Sequence, residues 1–219
     1  MSPLIIVPAV AITLVAFVYW FLVRPWHLRW GATDDEVSQS WPGDELSSPH
    51  PKLSATHAIS INAPAADVWP WLVQMGQNRG GFYSYTWLEN LVGCHMRNAD
   101  RIVPKWQTLN VGDSVRLHPK APPLKVLIAE PGRSIVLEKI WAFHVLPIDE
   151  RTTRLIIRGR GDYNPASKNP ILNFLLWHII FEPAHFIMER KMLHGIKQRA
   201  EATSRRRNEQ PGNDFAAVH

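Results

Sequence analysis

The feature that most constrains this chain is an N-terminal run of twenty residues, 4–23, without a charged side chain. As a helix rising about 1.5 Å per residue, the run would extend about 30 Å, the thickness of the hydrocarbon core of a bilayer. Arg24, His27 and Arg29 follow it at once. The run therefore predicts that residues 1–24 form a transmembrane helix that anchors the chain in a membrane.

A cleaved secretory signal is the competing interpretation. It requires a basic segment before the apolar run and small residues at the cleavage site. Only three residues precede the run, none of them basic, and Tyr19, Trp20 and Phe21 lie near its end, where aromatic side chains suit a bilayer interface. An anchor is therefore the preferred interpretation. Because the basic residues follow the helix, the positive-inside rule predicts a single-pass membrane protein whose main domain is cytoplasmic.

The rest of the chain is long enough for one domain with its own core. Residues 25–55 are rich in Asp, Ser, Pro and Gly and are predicted to be a connector, in which Trp41 indicates that the segment packs on another part and is not free in solvent. Residues 56–203 form the predicted domain, and residues 204–219 a basic, disordered tail. The tail either meets anionic headgroups or is a solvated end. No nucleic-acid partner is predicted, because no basic face interleaved with aromatic residues accompanies the tail.

Local periodicity predicts the first elements of the domain. Residues 56–61 alternate in polarity, which indicates a strand. A helix over 65–75 follows, with Val68 and Leu72 on one face at helical spacing. A second short helix is predicted over 86–92.

The remainder of the domain is predicted to be a meander of strands followed by helices. Short runs with turn residues between them predict an antiparallel sheet. The predicted strands are 114–118, 124–129, 134–139, 142–148 and 154–160, and the predicted helices are 171–181 and 183–199, after a loop over 162–168. This order predicts an α+β chain with a helix-grip fold, in which a curved antiparallel sheet surrounds a long C-terminal helix and leaves a cavity.

Several motifs resemble those of the START-like, polyketide cyclase-type superfamily known as SRPBCC, in particular its membrane-anchored proteins. They are Trp30-Gly31-Ala32-Thr33, Pro42-Gly43-Asp44-Glu45-Leu46, Val68-Trp69-Pro70-Trp71-Leu72, Gly80-Gly81-Phe82-Tyr83-Ser84-Tyr85, Asn98-Ala99-Asp100, Val111-Gly112-Asp113, Met188-Glu189-Arg190 and Gly195-Ile196-Lys197. The likeness covers residues 30–201. The resemblance implies the helix-grip fold. It does not specify one function, because members of the superfamily bind lipids, sterols and hormones or cyclise polyketides.

The segment around the paired glycines is the richest candidate site. Arg79, Phe82, Tyr83, Tyr85 and Trp87 combine flat apolar surface with polar tips, beside glycines that permit unusual torsions. These residues are expected to form the mouth or lid of a hydrophobic pocket. Packing between the short helices and the sheet explains the same pattern equally well.

Three further aromatic residues complete the candidate cavity: Trp69, Trp141 and Phe186. Trp69 and Trp71 are two positions apart on the predicted helix, hence about 200° apart around its axis. One of the two is therefore expected on the core side and the other near the surface or the membrane.

A second group of candidate functional residues lies on the predicted C-terminal helices. Residues His178, Glu182, His185 and Glu189 are spaced four, three and four apart, which would align them on one helical face. Carboxylate-bridged metal sites use this spacing, but they take ligands from several helices, and Pro183 is expected to interrupt the face. No metal and no cofactor is therefore predicted.

Charged strand residues offer one route to catalysis. Asp100, Glu138, Arg158 and Arg160 would form buried pairs in the cavity if they face inward, and a carboxylate beside tyrosines could perform acid–base work. Alternation more often places such charges on the outer face of a sheet. No catalytic residue is therefore predicted.

The leading hypothesis is a non-catalytic, membrane-tethered domain that binds a lipid or another hydrophobic small molecule. A cyclase/dehydratase-type enzyme is the alternative, and an interaction module without ligand is a third. Residues 171–181 are more apolar than one face against a sheet requires, so they either belong to the core or lie partly at the membrane interface. A combination is favoured, in which one side of this helix closes the cavity and the other side rests on lipid.

Overall fold

A computed structural model describes residues 3–138, 141–162 and 168–209. Its centre is one antiparallel sheet of six strands in the order β1-β6-β5-β4-β3-β2. The strands are β1 (Leu53–Ile61), β2 (Ser114–Val115), β3 (Leu124–Glu130), β4 (Ser134–Leu137), β5 (Trp141–Pro147) and β6 (Thr153–Gly161). With the long C-terminal helix and the N-terminal apolar helix, this curved sheet makes the chain α+β and consistent with the predicted helix-grip fold.

The inner face of the sheet packs against two helices, α4 (Ala65–Val73) and α7 (Glu182–Glu209). Strand alternation turns Leu155 and Ile157 inward, where they meet fully buried residues of α7 such as Leu193. Apolar burial of this kind stabilises a domain by about 25 cal/mol per Å². Gly195 lets α7 approach the backbone of Tyr83 so closely that no side chain would fit between them.

Two short helices and two 3₁₀ turns connect these elements. They are α3 (Asp34–Ser38), α5 (Thr86–Leu91) and the turns Asp44–Leu46 and Pro104–Trp106. On α4, Trp71 is fully buried, whereas Trp69 is only partly buried against the core. This difference between the two tryptophans follows from their angular separation on the helix.

The connector covers the outer face of the sheet. Trp41 stacks on the ring of His144 with 4.9 Å between the ring centroids. Asp44 binds Arg158 at 2.8 Å and Arg160 at 3.3 Å. Arg158 and Arg160 therefore lie on the outer face, as strand alternation favours, and their charge pairs lie under the connector and not in a cavity.

The N-terminal helix runs without a break from α1 (Pro3–Val18) through a π-helical turn (Tyr19–Val23) into α2 (Arg24–Leu28). The C-terminal helix has the same construction, with α6 (Pro170–Leu175), a π-helical turn (Leu176–Phe181) and α7. The interruption expected at Pro183 is absent. Glu182 donates its N–H to Trp177, five residues back, and this widened turn accommodates the proline.

Both helices are long and apolar enough to cross a membrane, over residues Ile6–Leu28 and Pro170–Glu209. Length and composition are equally compatible with a signal sequence at the N-terminus. At the other end, α7 continues to Glu209, so residues 204–209 of the predicted tail are helical. Arg207 binds Asp67 at 2.6 Å there. Residues 210–219 lie outside the described residues.

Candidate functional site

A cavity of about 550 Å³ lies where the N-terminal helix, the C-terminal helix and the edge of the sheet meet. Strand β1 contributes Leu53, Ala55 and His57, three alternate positions on its inner face. Its neighbour β6 contributes Gly159, which pairs with Ala55. The sheet therefore provides one wall of the cavity and the two helices provide the others.

Most of the helical lining is apolar, and a smaller part is titratable. The apolar residues are Leu28, Trp177, Phe181, Ala184, Phe186 and Met188. The titratable residues of the cavity are His27, Glu182, His185 and Glu189 on the helices, with His57 on β1. What the cavity can bind depends on how far these polar groups already satisfy one another.

His57 and Glu189 form a buried pair at the sheet wall. His57 Nδ1 lies 2.5 Å from a carboxylate oxygen of Glu189, and Nε2 lies 2.7 Å from the carbonyl oxygen of His27. Because a carbonyl oxygen only accepts, Nε2 carries a hydrogen, and an ionised Glu189 accepts from Nδ1. Burial alone would lower the pKa of His57, but the charge and hydrogen bond of Glu189 outweigh it, so the pKa is raised.

The second oxygen of Glu189 accepts a hydrogen bond of 2.7 Å from the indole N–H of Trp141. Four segments therefore converge on this carboxylate: β1, β5, the C-terminal helix and, through His57, the end of the N-terminal helix. A fully partnered charge network of this kind fixes the geometry of a wall and leaves no unpaired charge in it.

Glu182 is the second buried carboxylate. Its oxygens lie 2.9 Å from Arg24 Nε, 3.5 Å from His27 Nε2 and 3.2 Å from His178 Nδ1. The pair with Arg24 joins the two helices at the boundary of the apolar stretch.

His185 is the most accessible titratable group of the cavity. Its side chain is 57% exposed, and Nδ1 lies 4.0 Å from Glu189. Among residues 3–138, 141–162 and 168–209, no three His, Cys, Asp or Glu side chains form a group that could hold a metal ion. The arrangement offers an apolar binding surface with one accessible imidazole at its edge.

Three of the predicted site residues come together near this cavity. Phe186 lines it and packs on His57 with 5.5 Å between the ring centroids. Trp141 contacts Glu189 through its indole N–H, and Phe82 packs on Trp141 with 5.6 Å between the ring centroids. An aromatic series therefore leads from the core to the cavity wall.

Arg79 and Tyr83 lie elsewhere and are held by backbone groups. Arg79 donates to the carbonyl oxygens of Trp106 at 2.7 Å and Val73 at 3.2 Å. Tyr83 is 1% exposed, has a φ of +58°, and donates its hydroxyl to the carbonyl oxygen of Trp71 at 3.0 Å. Burial raises the pKa of Tyr83 to about 12.

The remaining predicted residues lie outside the cavity wall. Tyr85 is exposed beneath the ammonium group of Lys191, and Trp87 is 68% exposed on α5. Trp69 packs partly buried against the core. A ligand-binding role for these three, and for Arg79 and Tyr83, stays a prediction.

Sequence patterns contained signals for some residues that the prediction missed. The alternation that predicts β1 places His57 on the same face as Ile59 and Ile61, which is an unusual position for a polar residue. Glu189 belongs to the polar helical face already singled out. No local signal marks Gly159 or Leu53, because the cavity they line exists only once distant segments meet.

Comparisons with known proteins add little to the fold and the site described above. No family model matches the chain, and no curated protein matches it. The chain is similar to a solved NMR structure of a polyketide cyclase-like protein from Corynebacterium glutamicum, at 16% identity over 78% of this chain and 100% of that chain. The TM-score is 0.31. A likeness at this level does not establish a shared function, and the fold assignment comes from the sheet and helices described above.

Proposed function

We propose that this chain is a membrane-tethered protein whose helix-grip domain binds a lipid or another hydrophobic small molecule. The observation that carries the proposal is the 550 Å³ cavity at the junction of sheet and helices. Small-molecule sites commonly occupy roughly 300–1,000 Å³ and combine an apolar lining with a few polar groups. The cavity has this size and this composition.

Charge pairing favours an apolar ligand. Each buried carboxylate of the cavity already has cationic or hydrogen-bonding partners, so the ligand need not supply them. Burial of a charged ligand group would add a desolvation cost that nothing in this network offsets. A mainly hydrocarbon molecule, with at most one polar group near His185, fits best.

The position of the cavity supports a supply of ligand from the bilayer. Phe181 lines the cavity, and its neighbours Ile179 and Ile180 are exposed on the C-terminal helix. Exposed apolar surface of this kind is typical of a membrane contact. A molecule dissolved in lipid would then reach the cavity without crossing water.

Contacts of the N-terminal helix favour a retained tether over a cleaved signal. Tyr19 donates its hydroxyl to the backbone of His178, and Arg24 binds Glu182. Cleavage near Trp26 would remove both contacts and leave Glu182 buried without Arg24. The basic residues after the helix favour a cytoplasmic main domain, as the positive-inside rule predicts. Digestion by external protease of a reporter fused after His219 would contradict this topology.

A cyclase/dehydratase-type enzyme is the second candidate, and one observation favours it. His185 is titratable, faces the cavity and is accessible, as a general base requires. A chemical change in a bound molecule that is lost in His185→Gln, with binding retained, would identify an enzyme.

The test of binding is native mass spectrometry of the full chain extracted in mild detergent, with lipidomics of what is released. A Cβ added at Gly159 meets no atom within 4 Å, so Gly159→Leu would fill the cavity without a backbone clash. Ser54→Leu is the matched control, since Ser54 is exposed on the opposite face of the neighbouring strand. We expect Gly159→Leu to lose the bound molecule and Ser54→Leu to keep it. Equal occupancy in all three proteins would refute the proposal.

A further inference from the structure

A second concave site, a cleft of about 710 Å³, lies beside the cavity on the other side of Trp177. It is lined by the N-terminal helix, by the C-terminal helix and by Lys52, the residue before β1. Trp20, Phe174 and Trp177 form its apolar walls, and Arg24 and Lys52 are its cations. A cleft between two apolar helices that contains two cations is suited to an amphiphile with a negative charge.

Arg24 marks the end of the uncharged stretch, and its guanidinium is held in place. Its Nε lies 2.9 Å from Glu182, and the group stands over the ring of Trp20 at 4.9 Å from the centroid. Aromatic rings such as that of Trp20 favour the headgroup level of a bilayer. The cation is therefore fixed at the depth where lipid phosphates lie.

Lys52 supplies the second positive charge. It is exposed, and it takes part in none of the ion pairs that the structure shows within its described residues. A long lysine side chain reaches several ångströms along a membrane surface. Glu182 offsets the charge of Arg24, whereas no carboxylate among the described residues pairs with Lys52. The described lining of the cleft therefore carries a net positive charge.

The apolar part of the cleft continues below these charges. Trp20 and Phe174 pack together with 5.6 Å between the ring centroids, and Phe174 remains partly exposed. An acyl chain could lie along this surface while its headgroup stays near the cations. Neither a free anion nor a neutral hydrocarbon would use both parts of the cleft.

We infer that this cleft binds an anionic phospholipid, with its phosphate at Lys52 and Arg24 and an acyl chain along Trp20 and Phe174. The inference rests on the membrane tether of the proposed function and concerns a different site from the cavity. A basic residue near an anionic surface contributes about fivefold in binding, so Lys52 is expected to give a preference of that order.

The experiment offers the full chain in mild detergent an equimolar mixture of phosphatidylglycerol and phosphatidylcholine with identical acyl chains, and native mass spectrometry measures the ratio bound. We expect about a fivefold preference for phosphatidylglycerol, close to parity in Lys52→Glu, and no change in Lys125→Glu, an exposed lysine on β3. Equal binding by the unaltered chain, or a preference retained in Lys52→Glu, would overturn the inference.

Two further arms separate the sources of the signal. Millimolar inorganic phosphate should leave the ratio unchanged, and displacement of phosphatidylglycerol by phosphate would overturn the assignment to a lipid. Gly159→Leu should lose the cavity ligand and still show a preference for phosphatidylglycerol that depends on Lys52. If the chain prefers phosphatidylglycerol through Lys52 but holds no ligand in the cavity, only the proposed function is contradicted. If the cavity holds a ligand but the chain shows no such preference, only the inference about the cleft is contradicted.

Discussion

Arg24 and Glu182 form an ion pair of 2.9 Å, and each directly precedes a proline in its own helix. Arg24 donates its N–H to Tyr19 and Glu182 donates to Trp177, so each residue closes a π-helical turn before the proline. Trp20 contacts Phe174 and Trp26 contacts Phe186, which shows that the helices run parallel. The ion pair therefore fixes the position of the two apolar helices relative to each other along their axes.

Replacing Arg24 with Met should strongly destabilise the junction. The change removes the closest cation to the Glu182 carboxylate, whose side chain is only 3% exposed. Breaking a buried ion pair lowers the free energy of unfolding by about 3–5 kcal/mol. Thermal unfolding of the full chain in detergent, followed by near-ultraviolet circular dichroism, measures the loss. The double variant R24M/E182M should recover most of it, because two apolar residues need no partner. A double variant as unstable as R24M would argue against the pairing.

Stability should depend on pH through His57. Because its pKa is raised in the folded protein, the folded state retains a proton that the unfolded state releases above about pH 6.5. The stabilising contribution of the His57–Glu189 pair is therefore complete below that pH, and it is lost as the pH rises through the pKa of His57 in the folded protein. Urea unfolding at a series of pH values should show this loss in the unaltered chain and not in His57→Gln. Parallel pH profiles for the two proteins would contradict the role of His57.

His144 should make the connector sensitive to acid. Burial under Trp41 lowers its pKa to about 4, so the unfolded state binds more protons between about pH 6.5 and pH 4. Stability therefore falls as the pH falls through that range, by roughly 3 kcal/mol in total. Limited proteolysis within residues 30–52 should accelerate at acid pH. His144→Phe keeps a ring under Trp41 and should remove this acceleration, and an unchanged acid response in that variant would exclude His144 as its source.

Local periodicity explains how much of the fold could be predicted. The strands Ser134–Leu137 and Thr153–Gly161 match the predicted 134–139 and 154–160, because alternation records which face of a strand is buried. Helix α4 begins at Ala65 as predicted, after the turn that ends β1. Each of these features depends on neighbours within a few residues.

Contacts between distant residues could not be predicted in the same way. His57 and Glu189 are 132 positions apart, and nothing in either neighbourhood specifies the other. Packing of Trp41 was predicted, but its partner His144 follows only from the path of the connector over the sheet. The general rule that proline interrupts a helix gave the wrong result at Pro183, because the rule does not include the widened turn before it.

Alanine at Trp71 should cost far more stability than alanine at Trp69. Trp71 is fully buried beside Tyr83, with 5.7 Å between the ring centroids, whereas Trp69 is only partly buried. Loss of a buried tryptophan side chain costs about 3–5 kcal/mol, and the cost falls with exposure. Urea unfolding of the two variants measures the difference. Equal losses would contradict the burial of Trp71 and the orientation of α4.

The final prediction concerns the lipid contact of residues 171–181. Ile179 is 59% exposed in the protein alone, and Ile148, at a turn after β5, is 61% exposed. If the C-terminal helix rests on lipid, Ile179→Cys in membrane vesicles should react with a water-soluble maleimide about tenfold more slowly than Ile148→Cys, since thiolates form poorly in an apolar medium. The native Cys94 adds little background, because it is buried and burial raises its pKa. Equal labelling rates in sealed vesicles that expose the domain would show that water covers this segment.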